Sequence, residues 1–165
     1  MAGLKPAFDK DGVVTAATSS PLTDGAAAVI VCSEDYANEN SLEILAYIRG
    51  MAISGCSPDI MGIGPVLSSQ KALKRAGIKL EDVDIIEMNE AFAAQSLACV
   101  KELGIDMSRL NIHGGAISMG HPLGASGARI TGKAASLLKE TGKRYALSTM
   151  CVGGGQGCAT VLERA

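Results

Sequence analysis

The distribution of apolar and polar residues along the chain predicts alternating strands and helices. Residues 26–32 are continuously apolar, which at this length predicts a strand covered on both faces. Residues 64–76 instead carry apolar side chains at helical spacing, and Gly77 follows them as a stop signal. Further strands are predicted at 45–53, 83–88, 145–150 and 158–162, and further helices at 34–40, 91–103 and from 130 to Gly142.

Taken in order, these elements predict an α/β fold with a mixed five-stranded sheet and helices on both faces. The glycine link at 153–155 is short enough to make the last two strands an antiparallel hairpin. A chain of 165 residues without an internal repeat or low-complexity linker is expected to form one domain. In such sheets ligands bind in loops beyond the carboxyl ends of strands, so functional residues are expected there.

Composition and charge exclude several classes of partner. Hydrophobic residues make up 47% of the chain but aromatic ones only 3%, so small aliphatic side chains must build the core. The net charge of −2 comes from 15 basic and 17 acidic residues mixed along the chain, which gives no footprint for nucleic acid. No apolar run is long enough to span a membrane, and residues 1–11 lack the core of a signal peptide.

The five cysteines are odd in number and form no CxxC pair, so neither a disulfide framework nor a metal site is expected. Reduced thiols fit the cytoplasm, or an organellar matrix in a eukaryote.

Residues 111–130 contain both histidines and five of the twenty glycines. Glycine lets a ligand or another chain approach the backbone closely, so this density predicts a binding loop rather than a simple connection. Pro122 biases His121 away from the helical region, so the histidine is expected to project from extended backbone. The segment therefore reads as a glycine-rich loop that carries His121 and leads into a buried helix.

Two further polar residues, Asn89 and Cys151, follow predicted strands, and each has a purely structural explanation. Asn89 could be the N-cap of the next helix, and Cys151 could be a small buried hydrophobe. The functional hypothesis is that both converge with His121. A thiol near a histidine can serve as base or nucleophile, and Asn, His and glycine N–H groups can stabilise the oxyanion of a thioester.

This chemistry favours acyl transfer, with a phosphate-binding glycine loop as the next alternative. The Walker pattern is absent, because Ala128 follows Gly127 where lysine would be required. The segment from Gly62 to Gly64 lacks the third glycine of a dinucleotide fingerprint and is interpreted as a tight turn.

Three segments give a family resemblance: Asn89-Glu-Ala-Phe-Ala, Gly120-His-Pro-Leu-Gly-Ala-Ser-Gly and Cys151-Val-Gly-Gly-Gly. In this order and at these separations they closely resemble the C-terminal signatures of thiolases, the acetyl-CoA C-acyltransferases. Similarity at 4–8, 24–28 and 61–65 extends the resemblance over essentially the whole chain. It implies that residues 1–165 form a thiolase-like C-terminal half, with residues 1–25 a remnant of the loop region or junction.

The resemblance also implies catalytic roles. His121 matches the histidine that helps to activate a nucleophilic cysteine and, with a water held by the residue matching Asn89, forms one oxyanion hole. Cys151 matches the acid/base cysteine that exchanges a proton with the α-carbon of acetyl-CoA. The backbone N–H of Gly153 matches a donor of the second oxyanion hole.

Substrate-binding residues are implied in the same way. Met61 and Phe92 match residues of the acyl and pantetheine region, and Ser20 matches a serine that contacts the pantetheine arm of CoA. Pro21 stands where many biosynthetic members have glycine, and His113 where many have asparagine, so the substrate subclass is open.

Thiolases resemble two similar α/β halves packed face to face in five layers, with the nucleophilic cysteine in the N-terminal half. This chain is expected to supply only the second half, so it needs either an N-terminal thiolase half or self-association, as a homo- or hetero-oligomer. Acyl-CoA is the expected substrate, with no metal and no covalently bound cofactor. The alternative is a non-catalytic CoA-binding or interaction module, a truncated thiolase domain.

Overall fold

The computed structural model describes residues 3–165. From residue 34 onward its helices and strands follow the predicted order with one additional short helix, and they are joined by short 3₁₀ turns such as Pro58–Ile63. The helices are α1 (Glu34–Glu39), α2 (Gly64–Ala76), α3 (Ala93–Leu103), α4 (Ala116–Met119) and α5 (Leu123–Thr141), and the strands are β1 (Ala46–Gly55), β2 (Ile85–Met88), β3 (Tyr145–Val152) and β4 (Gln156–Arg164).

Over the described residues the sheet has four strands in the order β1-β4-β3-β2. The predicted hairpin is confirmed, because β3 and β4 pair antiparallel from Tyr145 opposite Glu163 to Val152 opposite Gln156. Strand β1 also pairs antiparallel with β4, whereas β2 runs parallel to β3. The sheet is therefore mixed, as predicted.

The prediction of a fifth strand at residues 26–32 is wrong for this structure. The whole segment is exposed, including Val29 (45%), Ile30 (80%) and Val31 (71%), and it belongs to no strand. Its sequence suits a strand buried on both faces, but within residues 3–165 no neighbouring strand pairs with its backbone. Cys32 is likewise exposed rather than buried in a strand.

Two residues, Leu110 and Asn111, bond the edge of the sheet beyond β2 in place of a further strand. Leu110 forms a single parallel bridge with Ile86, and the N–H of Asn111 donates to the Ile86 carbonyl over 2.8 Å. The Asn111 side chain then imitates a strand, because its Oδ1 accepts from the Met88 N–H and its Nδ2 donates to the Met88 carbonyl, both over 2.9 Å.

Helices cover both faces of the sheet, as predicted. On one face, Leu73 of α2 and Cys99 of α3 pack in the cluster that contains Ile86, Leu147 and Val161. On the other face, residues of α5 pack against β2, β3 and β4, and this second cluster consists of Ala134, Leu137 and Leu138 with Ile85, Ala146 and Leu162.

Local signals set the limits of α2. Pro65 lies in its first turn, where a missing N–H does no harm, and Gly77 ends it in the left-handed conformation at φ 71°. Lys71, Lys74 and Arg75 are exposed, as the helical pattern predicts.

No helix within residues 3–165 is both long enough and apolar enough to cross a membrane.

Candidate active site

A cleft of about 390 Å³ brings together six of the seven predicted site residues. They come from the N-terminal segment, the turn before α2, the loop after β2, the glycine-rich loop and the end of β3. The six are Ser20, Met61, Phe92, His121, Cys151 and Gly153, and Ala91, Leu123, Met150 and Val152 complete the lining. Asn89 does not line the cleft.

The chain before α5 holds His121 in place. Gly120 has φ 100°, a conformation that favours glycine, and a Cβ there would overlap the Thr23 side chain. The His121 N–H donates to Thr23 Oγ1 over 3.3 Å. Pro122 is the N-cap residue of α5, so the imidazole lies directly at the start of the helix. The prediction of a helix that begins only at residue 130 is wrong, because α5 begins at Leu123 and includes the small residues 124–128 that the glycine-rich pattern assigned to the loop.

The electrostatic surroundings of His121 favour the neutral imidazole. Partial burial lowers its pKa below the ordinary value, and the positive charge of Arg129 lowers it further. A neutral imidazole has one nitrogen that can accept a proton, so His121 is suited to act as a base.

Cys151 lies near the end of β3 with 5% of its surface exposed. Burial raises the pKa of its thiol and the neighbouring Cys56 raises it further, while a backbone hydrogen bond acts in the opposite direction. The thiol is therefore held protonated near neutral pH, which suits a proton donor. Gly153 follows in the turn between β3 and β4 and lines the same cleft.

Asn89 is completely buried, and its position excludes the N-cap interpretation. Helix α3 begins only at Ala93, with Phe92 as its capping residue. The backbone N–H of Asn89 donates to the Thr149 carbonyl over 3.0 Å, but neither polar atom of its side-chain amide has a partner among the described residues. A buried amide without a protein partner is costly, and such a group is ordinarily satisfied by an ordered water.

The N-terminal segment is attached to the loop after β2. Ser19 forms an antiparallel bridge with Phe92, and the Ser20 N–H and hydroxyl both donate to the Ala91 carbonyl, over 3.0 and 3.2 Å. The ring of Phe8 packs edge-on against Phe92 with 6.1 Å between ring centroids. These contacts bring Ser20 and Phe92 to the cleft although they are distant in sequence.

Glu90 connects two loops of the site, and the sequence patterns did not single it out for this role. One carboxylate oxygen accepts from Asn111 Nδ2 over 2.9 Å, and the other accepts from the Ile117 N–H over 3.1 Å. Gly115 lies so close to this carboxylate that a Cβ would overlap it. The only local signals were the acidic residue beside Asn89 and the glycine pair before α4.

No group of three or more His, Cys, Asp or Glu residues in the described part of the chain could hold a metal ion. The cleft instead combines a neutral imidazole, a protonated thiol and a glycine N–H. These groups can exchange protons and stabilise a developing oxyanion.

Comparison with known proteins identifies the family. The family model described as "Thiolase, C-terminal domain" matches residues 42–164, and "Thiolase, N-terminal domain" matches residues 1–35. The chain is 56% identical to a 3-ketoacyl-CoA thiolase of Vibrio parahaemolyticus, over 98% of this chain and 42% of the relative. It is 55% identical to that of Yersinia enterocolitica, over 99% of this chain and 43% of the relative.

Solved structures agree with this likeness. Human mitochondrial 3-ketoacyl-CoA thiolase superposes with a TM-score of 0.97 at 49% identity, over 99% of this chain and 42% of the human chain, and it has also been solved in complex with CoA. The Bacillus anthracis acetyl-CoA acetyltransferase gives a TM-score of 0.96 at 47% identity, over 99% and 42%. The chain thus spans less than half the length of these relatives. Its matched segments, fold and sequence identity establish that the chain belongs to the thiolase family.

Proposed function

We propose that this chain forms the C-terminal half of a thiolase active site. The complete site cleaves a 3-ketoacyl-CoA with CoA, or condenses two molecules of acetyl-CoA in the reverse direction. The observation that carries the proposal is the cleft in which His121, Cys151 and Gly153 meet. The likeness to 3-ketoacyl-CoA thiolases supports the substrate class.

In the proposed cleavage, the nucleophilic cysteine belongs to the N-terminal half and attacks the ketone carbon of the substrate. His121 takes the proton of that thiol. The lowered pKa of His121 supports this role, because the imidazole must be neutral to accept a proton.

Cys151 acts on the other side of the bond that breaks. When the bond between the α-carbon and the ketone carbon opens, its electron pair stays on the α-carbon of the departing acetyl-CoA, and the Cys151 thiol protonates that carbon. The acyl group remains on the nucleophilic cysteine until the sulfur of CoA takes it. The proton of the CoA thiol then goes to the Cys151 thiolate, and the released cysteine thiolate recovers its proton from His121. In condensation the Cys151 thiolate removes the same proton. The raised pKa of Cys151 supports proton donation.

Two oxyanion holes serve these steps. Asn89 contributes to the first together with His121, and its buried amide without a protein partner is the observation in favour. This first hole, in which Asn89 acts through a water that its amide holds, receives the thioester oxygen. The backbone N–H of Gly153 contributes one donor to the second hole.

Ser20, Met61 and Phe92 contact the pantetheine and acyl parts of the substrate. They line the same cleft as the two catalytic side chains, and apolar atoms of Met61 and Phe92 suit an acyl chain and the pantetheine methylenes. CoA enters as a substrate, as the CoA complex of the human thiolase suggests.

The partner that completes the site is an N-terminal thiolase half, on the same or another polypeptide. A groove of about 870 Å³ separates residues 27–34 from α5 and β1. The N-terminal family model ends at residue 35, so the exposed apolar segment 26–32 belongs to the part of the sequence that matches the other half. We propose that this segment pairs as a strand with the sheet of the N-terminal half, which then also fills the groove.

The test is CoA-dependent cleavage of acetoacetyl-CoA by this chain alone and after co-expression with the N-terminal half of the Vibrio parahaemolyticus relative. Activity is expected only in the co-expressed complex. Cys151→Ala should abolish it, whereas Cys158→Ala, a matched thiol outside the cleft lining, should retain it. A stable complex without activity would favour the binding or interaction module. Activity of the chain alone would contradict the location of the nucleophile.

A further inference from the structure

Ser126 lies in the first turn of α5, has no exposed surface, and touches the imidazole of His121. Its Oγ is 2.6 Å from His121 Nδ1 and 3.1 Å from the carbonyl oxygen of Pro122. That carbonyl also accepts the N–H groups of Ala125 and Ser126, over 2.8 and 2.9 Å, so the helix fixes its position.

The two contacts of the hydroxyl decide where the proton of His121 lies. A serine hydroxyl has one proton, and a carbonyl oxygen can only accept. If Oγ donates to the Pro122 carbonyl, its lone pair can accept from a proton on Nδ1, and both contacts are hydrogen bonds. If Oγ donates to Nδ1 instead, two oxygen atoms face each other over 3.1 Å without a proton between them. The first arrangement therefore has the lower energy.

We propose that Ser126 is a positioning residue that holds neutral His121 as the Nδ1–H tautomer. Nδ1 is occupied by this bond at the start of the helix, so the free lone pair lies on Nε2. His121 lines the cleft, and Nε2 is the ring nitrogen left to accept a proton there. That Nε2 of His121 takes the proton of a nucleophilic thiol rests on the proposed function, whereas the Nδ1–H tautomer does not.

The charge on Arg129 supports the same state, because a cation near the ring disfavours the imidazolium and leaves a neutral ring whose tautomer matters. The His121 N–H also donates to Thr23 Oγ1, which helps to fix the backbone from which the ring projects.

The first measurement is a long-range ¹H–¹⁵N spectrum of the imidazole rings in the ¹⁵N-labelled full chain at neutral pH, which reports the nitrogen that carries the proton. His113→Asn assigns the signals, since the chain has two histidines. We expect His121 to be protonated at Nδ1. Protonation at Nε2 in the unaltered chain would overturn the proposal. This measurement requires no substitution at Ser126, so it does not depend on whether a Ser126 variant folds.

Three variants examine the cause. Ser126→Ala removes the acceptor, so a population protonated at Nε2 should appear, and Ser126→Thr keeps the hydroxyl and should preserve Nδ1–H. Ser136→Ala is the matched control, because Ser136 is an exposed serine of α5 whose hydroxyl bonds the Gly132 carbonyl. An unchanged tautomer in folded Ser126→Ala would show that another group sets it and would overturn the role of Ser126.

In the reconstituted complex, Ser126→Ala should lower kcat about tenfold or more with a smaller change in KM, since a positioned base contributes roughly 10²- to 10⁴-fold. The two failures are distinguishable. An inactive complex whose His121 is protonated at Nδ1 contradicts only the proposed function, whereas an active complex protonated at Nε2 contradicts only the role of Ser126.

Discussion

At the scale of single residues, Arg129 helps to keep His121 neutral although it does not line the cleft. Partial burial lowers the pKa of His121 below its ordinary value, and the guanidinium of Arg129 lowers it further because it disfavours a second positive charge nearby. Arg129→Gln should therefore raise that pKa, and an NMR titration of the imidazole measures the change. In a reconstituted enzyme, the acid limb of the activity profile should move to higher pH by the same amount.

Lys139→Gln is the matched control for this titration, because it removes a cation from the exposed end of the same helix. The substitution should leave the pKa of His121 unchanged. Equal curves for Arg129→Gln and the unaltered chain would show that burial alone lowers the pKa.

A second residue-scale prediction concerns Glu87, which is 1% exposed on β2. Lys133 Nζ lies 3.3 Å from Glu87 Oε1 and forms an ion pair with it, but the geometry is not that of a hydrogen bond. The same ammonium group donates a hydrogen bond to the Gly114 carbonyl over 3.0 Å. Burial raises the pKa of Glu87, and Lys133 opposes this rise. Lys133→Met should therefore destabilise the chain by about 3 kcal/mol at pH 7.5, because it leaves a buried carboxylate without its partner.

The sign of the pH dependence separates this effect from lost packing. A folded-state pKa above the ordinary value gives stability that is full below the ordinary pKa and is lost as the pH rises through the folded pKa. Removal of Lys133 raises that pKa further, so the loss should grow from pH 4.5 to pH 7.5. Denaturant unfolding at both pH values measures it, with exposed Lys139→Met as the control. A loss independent of pH would assign the effect to the bond with Gly114.

The sequence predicted the residues of the cleft better than the residues that hold them. His121, Cys151 and Gly153 stand in contiguous glycine-rich segments, so local pattern was enough to find them. The pairs Glu87 with Lys133 and Glu90 with Asn111 form between distant segments, and nothing in the local sequence of either partner specifies the other. At Asn89 a local signal is misleading, because asparagine is a preferred N-cap residue and yet no helix begins at this position.

At the scale of elements, the start of α2 packs directly on β4 through two glycines. A Cβ on Gly157 would overlap the backbone of Gly64, and a Cβ on Gly64 would overlap that of Gln156. Backbone atoms cannot give way as a flexible side chain can, so Gly157→Ala should destabilise the chain by about 1–3 kcal/mol. The free energy of unfolding in urea measures this.

Gly124→Ala is the matched control, because Gly124 lies in α5 and an added Cβ would have no atom within 4 Å apart from its chain neighbours and the nearby backbone of its own helix. It should be neutral or stabilising by about 0.4–1 kcal/mol. If both variants lose stability equally, the close contact between α2 and β4 does not limit substitution at Gly157.

Element predictions succeeded where the signal was local and failed at the edges of the sheet. The hairpin of β3 and β4 and the limits of α2 follow from glycine turns and helical spacing. The segment 26–32 has an equally clear strand pattern, but a strand needs neighbours that the sequence pattern does not reveal. At the β2 edge of the sheet, the side chain of Asn111 makes the two hydrogen bonds with Met88 that the backbone of a neighbouring strand would make. No periodicity in the sequence predicts this contact.

At the scale of the whole molecule, the exposed apolar segment and the groove beside it form one surface. Residues 27–34 line the groove from one side and α5 with β1 from the other, so a single partner would cover both. Exposed apolar surface of this extent is typical of an interface. Residues 1–35 match the N-terminal thiolase domain, which supports the proposal that an N-terminal half covers this surface, with a second copy of this chain as the alternative.

Ile30→Lys tests this surface, because Ile30 is the most exposed residue of the apolar stretch 29–31. Burial of an unpaired charge opposes association, so native mass measurements should show the complex with the N-terminal half, or self-association, in the unaltered chain and a monomer in the variant. Met107→Lys places the same charge on an exposed methionine outside the groove and should leave association intact. If the unaltered chain stays a monomer at high concentration and does not bind the N-terminal half, this surface is not an interface. The proposal of an acyl-enzyme on a partner's cysteine would then have no structural support.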